Sequence, residues 1–408
     1  MSVGNTYTFR LSGVCRFASL ERCRIASLAA AMTIGLTLGF PPQAVRAQDI
    51  IKIGVPVPLS GSYRGSGTDI VDGAKLAVAQ INAGGGVLGK QLELMPQDDA
   101  CNPDEAANAA NRLITAGVVA VVGGYCSSAA LPELRVLHEV NIPFVLDASA
   151  HPALTSHGWQ DVFRTIGRSD KQGGYVASLM KDLLHAKRAA VINDGTTYSQ
   201  GLAQSTVAAL KQDGVEVVYD NAITPGQKNY RDVVQAAADS KPDVLYFTGY
   251  YTEAAVLAAN LREVKPTIKH FMGNGTADPS LIAHGGAAVE GMIVTTSPLP
   301  QFMTSQGARR YVKAYEAAYQ QAPGPYSIYE YDAVGVTARA IKDAKSTKPE
   351  DITAALHKLK RYDGATGEIA FDEKGDRTKP TFMAVTVRHG KFEPYASLDG
   401  KGRWVAMK

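Results

Sequence analysis

The chain has 408 residues, of which 42 are basic and 39 acidic, and 45% of the residues are hydrophobic. This length exceeds what one hydrophobic core usually serves, so a single small domain is excluded and two domains are expected. The net charge of +3 is small and arises from the N-terminal 47 residues. The composition therefore gives no reason to expect a nucleic-acid or lipid partner.

The first 47 residues have the pattern of a secretory leader. Residues 1–24 carry four arginines and one acid, residues 25–40 contain no charge, and Val45 and Ala47 occupy the −3 and −1 positions of a signal-peptidase site. The uncharged run is shorter than the roughly 20 residues that a membrane span needs. We therefore expect cleavage after Ala47 and export to the periplasm, with an uncleaved anchor as the alternative. Without this segment the chain has 37 basic and 38 acidic residues.

Export to the periplasm bears on the state of the cysteines. Cys15 and Cys23 lie in the leader, which leaves Cys101 and Cys126 in the exported chain. Such a pair is expected to form a disulfide, and two free buried thiols are the alternative. Neither cysteine belongs to a C-x-x-C motif and the histidines are scattered, so no metal or cofactor is predicted.

The first predicted elements are a buried strand at residues 50–59 and an amphipathic helix at residues 68–83. The glycine-rich stretch that follows has the G-x-x-x-x-G-K spacing of a phosphate-binding loop, from Gly84 to Lys90. A true phosphate loop follows a strand and precedes a helix, and it carries Ser or Thr after the lysine. Here the order is reversed and Gln91 follows, so the glycines are predicted to end the helix and form a tight turn. ATP binding is excluded.

Strands and helices continue to alternate along the chain. Asn102 and Pro103 have the pattern of a helix start, and later helices are predicted at residues 171–184, 198–212, 230–238, 253–264, 307–321 and 327–345. This alternation indicates parallel sheets covered by helices on both faces. Because it occurs in two runs, we predict an α/β protein with two doubly wound lobes and a ligand site at the carboxyl ends of the strands.

Several loops at these strand ends contain small hydroxyl residues. Ser127 and Ser128 begin a helix directly after a strand, where amides and hydroxyls suit a carboxylate; an ordinary helix cap is the alternative. Four tyrosines occupy comparable turns and would either line a cleft or belong to the core or surface: Tyr198, Tyr250, Tyr251 and Tyr326. The sequence contains no G-x-S-x-G or H-E-x-x-H motif and no G-x-G-x-x-G that opens a helix after a strand. Asp98 and Asp99 would point to opposite faces of a strand and so do not form a carboxylate pair.

Four segments together carry a family resemblance: GAKLAVAQINAGGGVLGKQLEL, DDACNPDEAANAANRLI, VVGGYCSS and FDEKGD. With them the chain resembles the periplasmic solute-binding proteins of leucine/isoleucine/valine ABC importers, from Ile50 to Asp376. The resemblance implies the type I periplasmic binding protein fold, with two lobes joined by three crossovers. It places residues 49–168 and 298–378 in the N-terminal lobe, and residues 169–297 and 379–408 in the C-terminal lobe. It also implies a Cys101–Cys126 disulfide.

The resemblance further implies a ligand site between the lobes. In it, Ser127 and backbone amides of the loop at residues 148–150 would bind the ligand carboxylate, and tyrosines would form the walls. The ligand-binding residues predicted in this way are Ser66, Cys126, Ser127, Ala148, Ser149, Ala150, Tyr198, Tyr250, Asn274 and Tyr326.

Two departures from the family pattern concern the ligand. Ala150 replaces a threonine that holds the carboxylate in branched-chain members, and the neighbouring Ser149 is a candidate substitute. In a loop one residue shorter than in those members, Asn274 and Gly275 stand at the place of the glutamate that pairs with the ligand ammonium. A buried ammonium without a carboxylate costs several kcal/mol, so either Asp278 or Asp147 takes this role, or the ligand has no ammonium.

The function expected from the resemblance is that of the periplasmic component of an ABC importer. It would capture a branched-chain or related amino acid and deliver it to an inner-membrane permease, acting as a monomer without a cofactor. The alternatives are binding of a non-amino-acid carboxylate or amide, such as an aromatic or aliphatic acid, and service as a ligand sensor. The missing catalytic motifs argue against an enzyme.

Overall fold

The computed structural model describes residues 50–264, 267–399 and 403–407. The predicted leader and its cleavage site lie outside the described residues. The α-helices, in chain order, are α1 (Arg64–Ala83), α2 (Pro103–Ala116), α3 (Ser127–His138), α4 (Ser169–Ser178), α5 (Thr197–Gln212), α6 (Arg231–Asp239), α7 (Tyr251–Val264), α8 (Pro279–Gly285), α9 (Gln306–Tyr319), α10 (Ser327–Ala344) and α11 (Pro349–Lys358).

Two large sheets carry these helices. The first is fully parallel, in the order β2-β1-β3-β4-β5, and consists of β1 (Ile50–Val57), β2 (Gln91–Asp98), β3 (Ala120–Gly123), β4 (Phe144–Leu146) and β5 (Val162–Arg164). The second begins with a parallel part, in the order β7-β6-β8-β9-β10, made of β6 (Arg188–Asn193), β7 (Glu216–Ala222), β8 (Val244–Phe247), β9 (Lys269–Met272) and β10 (Ile293–Thr296).

The far edge of the second sheet departs from the purely parallel prediction. After a two-stranded ribbon of β11 (Tyr362–Gly364) and β12 (Gly367–Ile369), the chain adds three antiparallel strands beside β10, namely β13 (Met383–Arg388), β14 (Lys391–Leu398) and β15 (Trp404–Ala406). The physical reason is the two-residue turn between β13 and β14. His389 and Gly390 there both have positive φ, at 52° and 68°, which is the geometry of a tight hairpin.

The chain passes between the two sheets three times. It leaves β5 for α4, returns after β10 to α9 and α10, which pack on α1 of the first sheet, and crosses again after Arg377 to reach β13. The predicted α/β class, with two doubly wound lobes and three crossovers, is therefore confirmed. The core strands are fully buried; Val55 and Val121 in the first sheet and Ile192 in the second have no exposed surface.

Local sequence signals account for many element boundaries. The Asn102 side chain accepts hydrogen bonds from the amides of Asp104 and Glu105, and α2 ends at Gly117 with φ of 76°. The glycine-rich stretch joins α1 to β2 as predicted; Gly86 has φ of 74°, and a Cβ there would lie 1.9 Å from the Lys90 carbonyl oxygen. Glycine is thus required by that turn and not by a phosphate.

Some elements were not predicted from the sequence, namely β5, α8 and α11. Both helices begin with a proline after an N-terminal capping position, at Pro279 and Pro349, so a signal for them was present. Among the described residues, no helix combines the length and the apolarity needed to cross a membrane. The same part of the chain holds no group of three or more His, Cys, Asp or Glu side chains that could hold a metal ion.

Candidate ligand-binding site

The candidate site lies where the carboxyl ends of the strands from both sheets face each other. The first sheet contributes the loops after β1, β3 and β4, and the second contributes the loops after β6, β8 and β9. Contacts across the site join the two sides. The Ser66 hydroxyl donates a hydrogen bond of 2.8 Å to Asp278, and the Tyr251 hydroxyl donates one of 2.6 Å to the Ser62 carbonyl oxygen. The described structure is therefore closed around the site.

Ser127 is the first residue of α3 and is fully buried. Its hydroxyl oxygen accepts a hydrogen bond of 3.3 Å from the His151 amide. A second link between the same two loops is the Ser149 amide, which donates to the Gly124 carbonyl oxygen at 2.9 Å. Since the Ser127 oxygen accepts from the protein, its own hydrogen remains available to a ligand carboxylate.

Several donors beside Ser127 have no acceptor within the described residues. The Ala150 amide and the amide of Ser127 at the helix start donate no hydrogen bond there, as is usual for the first turn of a helix. The buried hydroxyls of Ser149 and Tyr125 also lack a partner in this part of the chain. Of the predicted loop amides, the Ser149 amide is already used, which leaves those of Ala148 and Ala150 as donors for an anion.

Six tyrosines form a cluster across the site. The side of the first sheet provides Tyr63, Tyr125 and Tyr326, and the side of the second provides Tyr198, Tyr250 and Tyr251. Ring centroids lie 5.0 Å apart for Tyr63 and Tyr250, 5.4 Å for Tyr198 and Tyr250, and 5.4 Å for Tyr125 and Tyr326. These distances are typical of favourable aromatic contacts.

The three predicted wall tyrosines lie in this cluster together with two that were not predicted, and their contact with a ligand stays a prediction. Tyr63 and Tyr125 were missed, although both lie in strand-end loops, Tyr125 directly before Cys126. Burial raises the pKa of Tyr125, Tyr198, Tyr250 and Tyr326 well above the ordinary tyrosine value. These hydroxyls are therefore protonated and can donate hydrogen bonds.

Acidic side chains lie on the side of the second sheet. Asp278 caps α8, with one carboxylate oxygen accepting from the Ser280 amide at 2.8 Å and the other from Ser66 at 2.8 Å. Asp194 accepts hydrogen bonds from the Thr196 hydroxyl at 2.7 Å and from the Tyr250 amide at 3.2 Å. Burial raises the pKa of Asp194 more than its hydrogen bonds lower it.

Asn274 is buried and hydrogen-bonded within the protein. Its side-chain oxygen accepts from the Thr296 hydroxyl at 2.7 Å and from the Ser297 amide at 3.0 Å, and its side-chain nitrogen donates to the Tyr326 hydroxyl at 3.3 Å. The Tyr326 hydroxyl in turn donates to the Asn274 carbonyl oxygen at 2.9 Å. Asn274 thus ties the end of β10 to the opposite lobe, and direct contact with a ligand stays a prediction.

Asp147, the other proposed partner for an ammonium, has a different environment. It is fully buried, and neither carboxylate oxygen has a hydrogen-bond partner among the described residues. Burial raises its pKa well above the ordinary value; the backbone amides of Asp147 and Ala148 lower it by less, and the nearby Asp69 raises it further. Glu330 on α10 is buried beside it, and burial together with Asp147 raises the pKa of Glu330 as well. Asp278, which contacts Ser66 across the site, is the better-placed candidate for a ligand ammonium.

The disulfide predicted between Cys101 and Cys126 is present, with a Cα–Cα distance of 5.4 Å. Cys101 lies in the loop after β2 with φ of 53°, and its amide donates to Asp99 at 2.8 Å. Cys126 is the capping residue of α3. The bridge therefore anchors the loop that carries Tyr125 and Ser127.

Comparison with known proteins shows similarity over nearly all of the described chain. A profile of the family described as periplasmic binding protein matches residues 50–391. The leucine-, isoleucine-, valine-, threonine- and alanine-binding protein of Pseudomonas aeruginosa is 30% identical over 354 residues, covering 86% of this chain and 93% of that one.

Two solved structures are similar as well. The leucine binding protein LivK of Thermotoga maritima is 30% identical, with a TM-score of 0.81 over 86% of this chain and 99% of that one. The substrate binding protein LivJ of Streptococcus pneumoniae, solved in complex with isoleucine, is 26% identical, with a TM-score of 0.79 over 85% of this chain and 98% of that one.

Proposed function

The chain belongs to the periplasmic binding protein family, and from this premise we propose that it captures a branched-chain or related amino acid between its lobes and delivers it to an inner-membrane ABC permease. Members of this family are non-enzymatic components of transport, so the chain is a binding protein and not an enzyme. The amino-acid ligand is supported by what similar proteins bind, which includes leucine and isoleucine.

The observation that carries the proposal is the opposite polarity of the two sides of the site. On the side of the first sheet, Ser127 and the Ala150 amide offer donors at a helix N-terminus, which suits a carboxylate. On the side of the second sheet, Asp278 and Asp194 offer carboxylates. A zwitterion bound between them would meet a complementary group at each end.

In this proposal Asp278 pairs with the ligand ammonium, as a glutamate does in branched-chain members. Asn274, at the position of that glutamate, is neutral and its amide is engaged within the protein. Asp278 lies four residues further along, where its bond to Ser66 brings a carboxylate to the lobe interface. We propose that an ammonium ligand replaces or shares this bond, because a buried ammonium needs a carboxylate.

A second candidate is an aromatic or aliphatic acid without an ammonium. The replacement of the glutamate by Asn274 and the tyrosine-rich wall favour it. Both candidates share the carboxylate subsite at Ser127 and differ only at Asp278. The ligand's ammonium is therefore the group that an experiment must vary.

Calorimetry on the exported form of the protein separates the two candidates. Leucine, its deaminated analogue 4-methylpentanoate and leucinamide would be titrated under the same conditions. We expect leucine to bind at least about a hundredfold more tightly than 4-methylpentanoate, because that analogue leaves a buried carboxylate without its partner. Leucine should bind about ten- to a hundredfold more tightly than leucinamide, which lacks the charge-assisted bond at Ser127. Equal affinity for leucine and 4-methylpentanoate would reject the amino-acid ligand and support the acid.

The cellular setting forms part of the same proposal. We place the mature protein in the periplasm, beginning at Gln48, as a monomer whose lobes divide near residues 168, 298 and 378. Periplasmic homologues and the course of the chain between the two sheets support this arrangement. N-terminal sequencing of exported protein and light scattering of the purified protein test it, and a retained leader or a stable dimer would contradict it.

A further inference from the structure

The segment FDEKGD, residues 371–376, lies outside the ligand cleft and against the edge of the first sheet. The Arg164 amide at the end of β5 donates a hydrogen bond of 2.9 Å to the Gly375 carbonyl oxygen. Gly375 has φ of 83°, and a Cβ there would lie 1.9 Å from the Val162 carbonyl oxygen. Only glycine permits this approach, and the result is that Asp376 lies beside Arg164.

Arg164 is fully buried and connects Asp376 to the loop of the carboxylate subsite. Its Nε donates to Asp376 Oδ1 at 2.9 Å, and its Nη1 donates to the carbonyl oxygens of Ser149 and His151 at 3.1 and 3.0 Å. Its Nη2 donates to the Thr155 hydroxyl at 2.8 Å. One guanidinium therefore fixes two peptide groups of this loop.

The orientation of the Ala150 amide follows from these contacts. The Ser149 carbonyl and the Ala150 N–H belong to the same planar trans peptide, so they point in opposite directions. Because Arg164 holds the Ser149 oxygen, the Ala150 N–H is directed away from Arg164. This amide has no acceptor within the described chain, and it is one of the donors assigned above to the ligand carboxylate.

The other side of Asp376 reaches the first crossover. Its Oδ2 accepts hydrogen bonds of 2.8 Å from Arg168 Nη1 and of 2.8 Å from the Thr155 hydroxyl. Arg168 caps α4, and the next residue, Ser169, donates its amide to the Ala150 carbonyl oxygen at 2.8 Å. Asp376 itself directly precedes the third crossover. The ligand loop and two of the three crossovers are thus joined through one carboxylate.

We propose that Arg164 and Asp376 are positioning residues that couple the orientation of the Ala150 amide to the geometry of the first and third crossovers. A movement of these crossovers turns the amide, and a carboxylate bound to the amide favours the crossover geometry seen here, because such coupling is reciprocal. The coupling to ligand rests on the proposed function. The coupling of loop to crossovers does not, since it is made by protein groups alone.

The test uses two variants and a matched control in the exported protein. Asp376→Asn removes the charge between the arginines, and Thr155→Val removes only the hydroxyl that bonds both Arg164 and Asp376. The control is Asp170→Asn, which loses contacts with the same Arg168, at 2.9 and 2.8 Å, without touching the ligand loop. Thr155→Val keeps the experiment decisive if Asp376→Asn does not fold.

Amide hydrogen exchange of the unliganded variants gives the first readout. We expect exchange in residues 148–154 to be at least about tenfold faster in Asp376→Asn and faster to a smaller degree in Thr155→Val. Asp170→Asn should match the wild type. Unchanged exchange in both variants, or an equal rise in the control, would overturn the proposal.

Calorimetry with leucine gives the second readout. We expect Asp376→Asn to weaken leucine binding at least about tenfold, while Asp170→Asn stays within about twofold of the wild type. A wild-type protein that does not bind leucine would reject the proposed ligand, and the exchange measurement would still decide the coupling. Tight leucine binding that Asp376→Asn leaves unchanged would overturn the link to the ligand.

Discussion

Asp278 on the second lobe accepts a hydrogen bond of 2.8 Å from Ser66 on the first, although the two residues are 212 positions apart in the chain. The bond links the two sides of the site. It also shows that the carboxylate can reach the lobe interface, which the family's glutamate does from the position occupied here by Asn274. Asp278 is therefore a contact between the lobes and a candidate for the ligand ammonium.

Ser66→Ala should favour the open form of the unliganded protein, because it removes this bond while leaving Asp278 to cap α8. If this bond contributes about 1 kcal/mol to the closed form, its loss shifts the equilibrium between the closed and open forms roughly fivefold toward the open form. Small-angle scattering should show a larger radius of gyration than that of the wild type without ligand. Thr68→Ala, which removes a local hydroxyl bond on the same helix, is the control. An equal change in the radius of gyration of both variants would count against a role of the Ser66–Asp278 bond in closing the lobes.

Ser127→Ala should weaken binding of any carboxylate ligand about ten- to a hundredfold, since one charge-assisted hydrogen bond is worth about 1.5–3 kcal/mol. The neighbouring Ser128→Ala is the matched control. Its affinity for the ligand should stay within about twofold of the wild type, because the His151 amide donates its hydrogen bond to Ser127 and not to Ser128. Calorimetry on both variants with the best ligand decides the point. Equal losses in the two would indicate a general effect on the helix start.

Loss of the Cys101–Cys126 disulfide should lower the free energy of unfolding by about 3.5 kcal/mol in the chain-entropy model, for a sequence separation of 25 residues. The effect on binding should exceed that of a mere loss of stability, because the bridge anchors the loop of Tyr125 and Ser127. Urea unfolding and calorimetry on the Cys101→Ser, Cys126→Ser protein measure both. An unchanged free energy of unfolding in that variant would contradict a stabilising Cys101–Cys126 disulfide.

The sequence was sufficient for the architecture because that depends on local periodicity. Alternating strands and helices, the Asn102–Pro103 helix start and the glycine-rich turn after α1 all depend on neighbours a few residues apart. The antiparallel edge of the second sheet was missed, because β13 pairs with β10 across a long stretch of chain, as Ile293 opposite Thr386 shows.

Candidate site residues could be predicted from the sequence only where a single local segment contains the pattern that indicates them. Ser127, Tyr198 and Tyr250 lie in segments that follow β3, β6 and β8, whereas Tyr326 lies just before α10. The three tyrosines lie in one cluster. The choice between Asp278 and Asp147 could not be made from sequence, since it depends on burial beside Glu330 in one case and on a partner across the cleft in the other. The contacts of Arg164 with Asp376 join segments 212 residues apart and leave no local pattern.

His270 should make the protein less stable as the pH falls. Burial lowers the pKa of His270 from 6.5 to about 4, with a smaller effect from Arg262, and neither ring nitrogen has a partner in the described chain. Between pH 6.5 and pH 4 the unfolded histidine binds a proton and the folded one does not. This residue therefore costs stability in that window and has no effect on the pH dependence above it.

The comparison of wild type with His270→Leu isolates this effect from other acid-sensitive groups. Between pH 8 and pH 5 the wild type should lose about 2 kcal/mol more of its free energy of unfolding than the variant does. Urea unfolding at the two pH values measures the difference. Parallel losses in the two proteins would show that His270 titrates normally in the folded state.

A calorimetric cycle tests most directly whether Asp278 neutralises the ammonium of an amino-acid ligand. The wild type, Asp278→Asn and the control Asp147→Asn would each be titrated with leucine and with 4-methylpentanoate, which lacks the ammonium. We predict that Asp278→Asn abolishes the preference for leucine, at a loss of at least about a hundredfold, while 4-methylpentanoate binding is little changed and Asp147→Asn keeps the preference. A preference for leucine that survives Asp278→Asn would contradict the claim.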